Sequence, residues 1–99
     1  MINNSLQDVF SELETSLIRI EILVFFSKNP YAMDIGRKFA QWIRRPESSV
    51  ITELDYLARK GIVDKMGEGE NAIYSLVSDL DIVQAIDEFA KTLAKRRTT

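Results

Sequence analysis

Positively charged side chains are concentrated in the middle of the sequence. Between residues 35 and 65 there are seven Lys and Arg residues against four Asp and Glu residues, although the whole chain carries a net charge of −2. The seven are Arg37, Lys38, Arg44, Arg45, Arg59, Lys60 and Lys65. Guanidinium and ammonium groups bind phosphate oxygens, so a local surplus of them favours contact with a polyanion. An ordinary solvated face is the alternative, and for Arg59 and Lys60 a position at a helix end explains the charge equally well.

The composition argues against several other kinds of chemistry. The chain has no cysteine and no histidine, which excludes disulfides, thiolate metal sites and the commonest general base. Its carboxylates are accompanied by no glycine-rich phosphate-binding motif. We therefore predict no catalytic residues, no metal site and no cofactor, and we expect that the protein is not an enzyme.

The length and hydropathy of the chain predict a single domain, residues 1–99, in the cytoplasm. With 99 residues and 45% hydrophobic content, the chain is long enough for one small core. The most apolar run, residues 17–26, contains Arg19 and Glu21 and is too short to span a bilayer, so no membrane partner is expected. The absence of cysteine fits a reducing compartment.

One stretch, residues 46–63, organises the rest of the chain. It predicts a helix over residues 46–60, with Pro46 at the first helical position and Gly61 as the left-handed residue that ends it. Three apolar residues share one face of this helix: Val50, Leu54 and Leu57. The opposite face is polar, which suits either a DNA groove or plain solvent.

Three helices are predicted before this stretch. Residues 1–13 favour an N-terminal helix that pairs with a second copy of the chain. Residues 14–28 are apolar around most of the helix, which indicates a central, buried helix. After a short link that is extended in part, Asp34 is expected to cap a third helix over residues 35–43.

After Gly61 the hydrophobic period changes from that of a helix to that of a strand. Residues 62–66 and 72–77 predict a β-hairpin, joined by a glycine-rich turn. Ser78 is then expected to cap a C-terminal helix with a long apolar stripe. The predicted divisions are an N-terminal helix (1–13), a core (14–78), a C-terminal helix (79–95) and a basic tail (96–99).

In this order of elements the chain, from about residue 19 to residue 78, resembles winged helix-turn-helix DNA-binding domains. The stretch PESSVITELDYLARKGIVDK is similar to the recognition helix and first wing strand of ArsR-like and MarR-like regulators. The positions that carry this resemblance are Ser48, Val50, Leu54, Leu57, Gly61, Ile62 and Val63, followed by a Tyr-x-Leu strand at residues 73–76. The resemblance implies a mostly α, α+β fold: a helical core with a two-stranded wing and flanking terminal helices that hold a homodimer.

The resemblance also implies a function and a site. It predicts a sequence-specific transcriptional regulator that binds double-stranded DNA, with helix 46–60 in the major groove. The groove-facing candidates are Ser48, Ser49, Ile51, Thr52, Asp55 and Tyr56. The expected phosphate contacts are Arg37, Lys38, Arg44, Arg45 and Lys65, with Arg59 at the helix end and Asn71 in the wing.

Two features depart from the family pattern and support a rival hypothesis. Glu68 and Glu70 stand at the wing tip, where basic residues are usual, and the turn between Phe39 and Pro46 is expected to be longer than the family's tight turn. The rival is a winged-helix module for protein interaction or assembly that does not bind DNA. An exposed Tyr56 and a Trp42 patch would suit it, although a tryptophan at the core edge is the commoner case. A metal-sensing role of the ArsR kind is not expected, because the cysteine and histidine ligands are absent.

Overall fold

The computed structural model describes the backbone of residues 17–98 and the side chains of residues 17–95, and these residues form a winged helix. The elements are α1 (residues 17–28), β1 (Met33–Ile35), α2 (Gly36–Ile43), α3 (Glu47–Arg59), β2 (Val63–Met66), β3 (Ile73–Leu76) and α4 (Leu80–Thr98). The predicted helix over residues 1–13 lies outside the described residues. The predicted helices over residues 35–43 and 46–60 and the wing hairpin are confirmed within a few residues, and so is the described part of the helix predicted over residues 14–28.

The wing strands belong to a three-stranded antiparallel sheet in the order β1-β3-β2. In its register Tyr74 of β3 pairs with Lys65 on β2 and with Asp34 on β1. The hairpin turn contains a short 3-10 segment, Gly69–Asn71, and Gly69 has a φ of 69°, a value that glycine adopts without steric cost. The sequence indicated only the hairpin. The third strand comes from the short link before α2.

This third strand corrects the predicted start of α2. Asp34 lies in β1 and does not cap the helix, and the residue at the cap position is Ile35, which makes no capping hydrogen bond with its side chain. The Asp34 carboxylate instead accepts a hydrogen bond of 2.7 Å from the backbone N–H of Ile35. Helix α2 therefore begins at Gly36, and its first turn lies directly against the sheet.

The turn between α2 and α3 is tight, so the prediction of a longer turn was wrong. Helix α2 continues to Ile43, and three residues, 44–46, connect it to α3. Arg44 takes a left-handed conformation with a φ of 60°, which reverses the chain within this short distance. Pro46 is the cap residue before α3 and is not its first helical residue, with a ψ of 136°.

The core forms where α1 and α3 pack together under the sheet. One face of α1 is buried, and so is the apolar stripe that the sequence predicted for α3. The largest fully buried side chains are Ile18, Ile22, Phe26, Phe39, Val50, Leu54, Leu57 and Tyr74. Burial of such side chains stabilises a fold by roughly 1.5–3 kcal/mol each. Because the buried stripe fixes how α3 is rotated, it also determines which of its residues face outward.

Helix α4 is longer than predicted, and it contributes fewer buried side chains to the core than α1 does. It runs to Thr98, so residues 96–98 of the predicted tail are helical. The hydrogen bond at its start comes from Asp79 and not from Ser78: the Asp79 carboxylate accepts from the backbone N–H of Asp81 at 2.9 Å. Among the described side chains of α4, Ile86 alone belongs to the buried core. A hydrogen bond of 2.9 Å from the Ser27 hydroxyl to Asp87 also ties α4 to α1.

Candidate nucleic-acid interface

The face of α3 opposite the core is a polar ridge. Ser48, Thr52 and Arg59 are exposed along it, one after another. The Thr52 hydroxyl donates a hydrogen bond of 2.9 Å to the backbone carbonyl of Ser48, within the helix itself. Ser49 is half-buried at the edge of this ridge. Short hydroxyl side chains on a convex helix face leave room for another molecule to approach the helix closely.

On one side of this ridge, α3 is tied to α1. Glu53 is only 5% exposed, and its carboxylate accepts a hydrogen bond of 2.7 Å from Arg19 Nε. The Arg19 guanidinium also lies 3.8 Å from the centre of the Tyr56 ring, with Lys60 Nζ at 5.6 Å. The prediction that Tyr56 is exposed was therefore wrong, because a cation from α1 covers its ring and leaves it half-buried.

On the other side, α3 is tied to the sheet. The Tyr74 hydroxyl donates a hydrogen bond of 2.6 Å to Asp55 Oδ1, and Lys65 Nζ lies 3.0 Å from the same oxygen. Asp55 was a candidate groove-facing position and Lys65 a predicted phosphate contact, and here the two side chains contact each other. The three side chains join the helix to both strands of the wing.

The environment of this cluster shifts two pKa values. Partial burial acts to raise the pKa of Asp55, but the hydrogen bonds from Tyr74 and Lys65 and the charges of Lys65 and Arg59 outweigh it, so the pKa falls below 3.8. For Tyr74, burial and the hydrogen bond to the Asp55 carboxylate both raise the pKa above its usual value. At neutral pH the cluster is thus an ionised carboxylate held by a neutral phenol and an ammonium group.

Ile51 also faces the sheet side of α3 more than the sequence suggested. It is half-buried and lies over the start of α2: a Cβ placed on Gly36 would come within 2.5 Å of Ile51 Cγ1. Glycine at this position therefore allows α2 and α3 to approach closely. The predicted contact of Ile51 with a thymine methyl group stays a prediction, now with only part of the side chain accessible.

The cations before α3 divide into two groups. Arg37, Lys38 and Arg44 are exposed, and none of them forms an ion pair among the described residues. Arg45, by contrast, donates two hydrogen bonds to the Glu21 carboxylate, at 2.6 and 2.9 Å. The positive potential of the turn is therefore carried by Arg44, while much of the Arg45 charge is compensated by α1.

The wing is acidic apart from Lys65. Asp64, Glu68 and Glu70 are exposed, and so is the neutral Asn71. Between β2 and α3 lies a shallow cavity of about 310 Å³, lined by Asp55, Ala58, Arg59 and Lys65. Its opposite charges partly cancel, so the wing side of α3 attracts a polyanion less than the α2 side does.

Some of the predicted site residues thus lie together on one exposed surface, whereas others are bound by partners within the domain. The ridge of α3 and the exposed cations of α2 and the turn form one surface, whereas Arg45, Tyr56 and Lys65 are held by internal partners. Sequence reasoning missed the partners Arg19, Glu21, Glu53 and Tyr74. One signal was available: Glu53 is a charged residue within the apolar stripe of α3, and such a residue requires a buried partner.

Two features are absent from residues 17–98. No group of three or more His, Cys, Asp or Glu side chains in this part of the chain is arranged to hold a metal ion. Nor is any helix in the same range long and apolar enough to cross a membrane.

Comparisons with known proteins agree with the fold. No protein-family model and no curated protein sequence matches the chain. Among solved structures, the chain is similar to a double mutant of Lactococcus lactis ZitR in its apo form, with a TM-score of 0.65 and 17% identity, over 98% of this chain and 73% of that one. It is also similar to the YusO protein of Bacillus subtilis, with a TM-score of 0.58 and 18% identity, over 98% of this chain and 77% of that one. At such low identity the likeness supports a shared fold and nothing more specific.

Proposed function

We propose that this protein is a sequence-specific, DNA-binding transcriptional regulator of the winged-helix class, acting in the cytoplasm and without catalytic activity. The observation that carries the proposal is the exposed polar ridge of α3, bordered by the exposed cations Arg37, Lys38 and Arg44, which form no ion pair with a described residue. The resemblance of residues 46–65 to ArsR-like and MarR-like regulators supports it.

In this proposal the side chains have separate roles. Ser48 and Thr52 face the bases of the major groove, and Arg59 is the one side chain of the ridge that is able to form a bidentate bond to guanine. The exposed cations Arg37, Lys38 and Arg44 bind phosphates and hold α3 in register. Ser49, Ile51 and Asn71 are secondary contacts at the edges of the surface.

The residues with internal partners have a supporting role. Arg45 is held by Glu21, Lys65 by Asp55, and Tyr56 lies beneath Arg19. Each of these contacts fixes α3 against a neighbouring element. We therefore assign most of the phosphate binding to α2 and Arg44, and we assign to Arg45, Tyr56 and Lys65 mainly the orientation of the recognition helix.

We propose further that the protein is a homodimer held by its terminal helices. Between α1 and α4 lies a largely apolar groove of about 730 Å³. Among the described residues its apolar lining consists of Leu17, Ile20, Val24, Phe25, Ile43, Ala90, Leu93 and Ala94. An apolar groove of this size suits a helix of a second copy. Light scattering should then give twice the 11.3 kDa mass of one chain, and Leu93→Lys should return the mass to that of one chain.

The DNA proposal is tested by the salt dependence of binding. Fluorescence anisotropy with a labelled random-sequence duplex is measured between about 50 and 200 mM salt, and the three phosphate-binding cations of each chain predict a log–log slope of about −3 per chain bound. Selection from a random library should then enrich one sequence, because the proposal is of specific binding. An absence of binding at about 50 mM salt would refute the proposal.

Two observations favour a second candidate function. Arg45 is paired with Glu21 and Lys65 with Asp55, and the wing is acidic. The second candidate is a winged-helix module for protein interaction or assembly that does not bind DNA. Such a module would give no salt-dependent signal with the duplex, and its association with a protein partner through apolar contact would change little over the same salt range. The salt series thus separates the two functions.

A further inference from the structure

An aromatic recess lies where the end of α1 meets α2. The rings of Phe25 and Trp42 stack with their centroids 5.3 Å apart and their planes 13° from parallel. Trp42 is still 46% exposed, and Tyr31 beside it is 95% exposed. A cavity of about 660 Å³ lies among these rings, and residues 28–32 complete its lining. No described side chain fills it, so a large aromatic surface faces solvent.

The charged residue in the lining of this recess is a lysine. Lys28 lines the cavity, and Lys38 lies one helical turn before Trp42 on α2. Both lysines are exposed, and neither forms an ion pair with a described residue. The recess therefore suits an apolar side chain that is flanked by carboxylates.

The start of α4 carries a segment of that kind. Leu80 is 72% exposed, the highest value for a large aliphatic side chain in the described part of the chain. Asp79 and Asp81 flank it, both exposed and both without an ion pair among the described residues. The hydrogen bond from the Asp81 N–H to the Asp79 carboxylate holds the segment in shape. We call this segment, residues 79–81, the acidic knob.

We propose that the aromatic recess of one chain receives the acidic knob of a second copy of the same chain. Leu80 of the second copy packs on Trp42 and Tyr31, and its flanking carboxylates face Lys28 and Lys38. The two surfaces are different, so the contact is head-to-tail, and every added copy brings another recess and another knob. The proposal requires neither DNA binding nor the dimer through α1 and α4. The recess does share Phe25 and Lys28 with the α1–α4 groove, and the contact shares Lys38 with the proposed DNA surface.

The first test uses Trp42, which is the only tryptophan of the chain and therefore reports directly on the recess. As protein concentration rises, its emission should move to shorter wavelength while the sedimentation coefficient increases, and added salt should reverse both changes. An emission maximum and a sedimentation coefficient that stay constant with concentration would overturn the proposal.

The second test alters the two surfaces separately. Lys28→Glu in the recess and Asp81→Lys in the knob should each weaken the head-to-tail association about tenfold, as expected for a lost charge pair. A mixture of the two variants should associate again, because the intact recess of one variant receives the intact knob of the other. The matched control is Glu88→Lys, an exposed site elsewhere on α4, which should leave association unchanged. A mixture that stays dissociated, or an equal loss with Glu88→Lys, would refute the contact.

Discussion

The helix-turn-helix and the wing, the two parts of the candidate interface, carry opposite charges. On the first, Arg37, Lys38 and Arg44 are exposed and form no ion pair among the described residues. On the second, the exposed charges at the turn are Glu68 and Glu70, and the cation of β2, Lys65, is paired with Asp55.

This difference in charge shows that the winged-helix fold does not by itself determine which of its parts can bind a polyanion. The wing here is joined to α3 through Tyr74 and Asp55, so it supports the helix mechanically while its charges repel a polyanion. In the proposed function, the attraction for DNA must then come from α2 and the turn.

The largest effect is expected from the double variant Arg37→Gln, Arg44→Gly. It removes two exposed cations from the helix-turn-helix, so DNA affinity at low salt should fall about a hundredfold and the salt slope should decrease by about two. Glycine suits the left-handed φ of 60° at position 44, so the melting temperature should not fall because of that change. Anisotropy and thermal unfolding measure the two effects. Lys28→Gln is the control, and an equal loss there would show that only net charge matters.

The double variant Glu68→Lys, Glu70→Lys tests the wing. If the acids keep the wing away from phosphates, their reversal should raise affinity about tenfold and steepen the salt slope. The same binding assay measures this, with Glu88→Lys on α4 as the control for net charge. A loss of affinity would mean that these acids make a specific contact, and the contrast between the two parts would have to be abandoned.

A smaller effect is expected from Glu21→Gln, which removes the carboxylate that holds Arg45. With this competitor gone, Arg45 should reach phosphate more often, and affinity should rise about threefold, while stability should fall by about 0.5 kcal/mol because the pair is partly exposed. The gain in affinity should vanish in the double variant Glu21→Gln, Arg45→Gln. A gain that persists there would show that Arg45 is not involved.

A further expected effect is on stability, not on DNA affinity, and it depends on pH. Asp55→Asn should lower the free energy of unfolding by about 1 kcal/mol at pH 7. The pKa of Asp55 is lowered in the folded protein, so its stabilisation is present above pH 3.8 and is lost as the pH falls through the lower folded value. Urea unfolding at pH 7, 4 and 3 should therefore show the difference between wild type and variant shrinking. A difference that stays constant would contradict the ionised cluster.

The raised pKa of Tyr74 predicts the opposite behaviour in alkali. Its contribution is complete below its usual pKa of 10.0 and declines as the pH rises further, because the unfolded chain ionises first. Tyr74→Phe should remove this decline, which provides the matched control.

The sequence predicted the elements better than their contacts. The stripe of Val50, Leu54 and Leu57 and the glycine at position 61 located α3 to within one residue at each end, because periodicity and caps are local signals. The alternation of β2 and β3 located the wing for the same reason. By contrast, β1 is three residues long and exists because β3 pairs with it, which no local pattern indicates.

The site was harder to predict, because its geometry depends on residues far apart in the chain. Arg45 and its partner Glu21 are 24 positions apart, and Arg19 and Glu53 are 34 apart. The types of these residues did not show which cation would be paired and which exposed. The tight turn was missed for a similar reason, since it depends on the left-handed conformation of Arg44, which residue type does not favour.

The polar ridge of α3 has a consequence for divergence among related proteins. The side chains of Ser48 and Thr52 make no hydrogen bond to any other described element of the domain, whereas both flanks of the helix are fastened by Glu53 and Asp55. Replacing the two hydroxyl residues therefore leaves the scaffold intact. A descendant of this chain is free to acquire a new target by changing only these positions, with no compensating change in its interior.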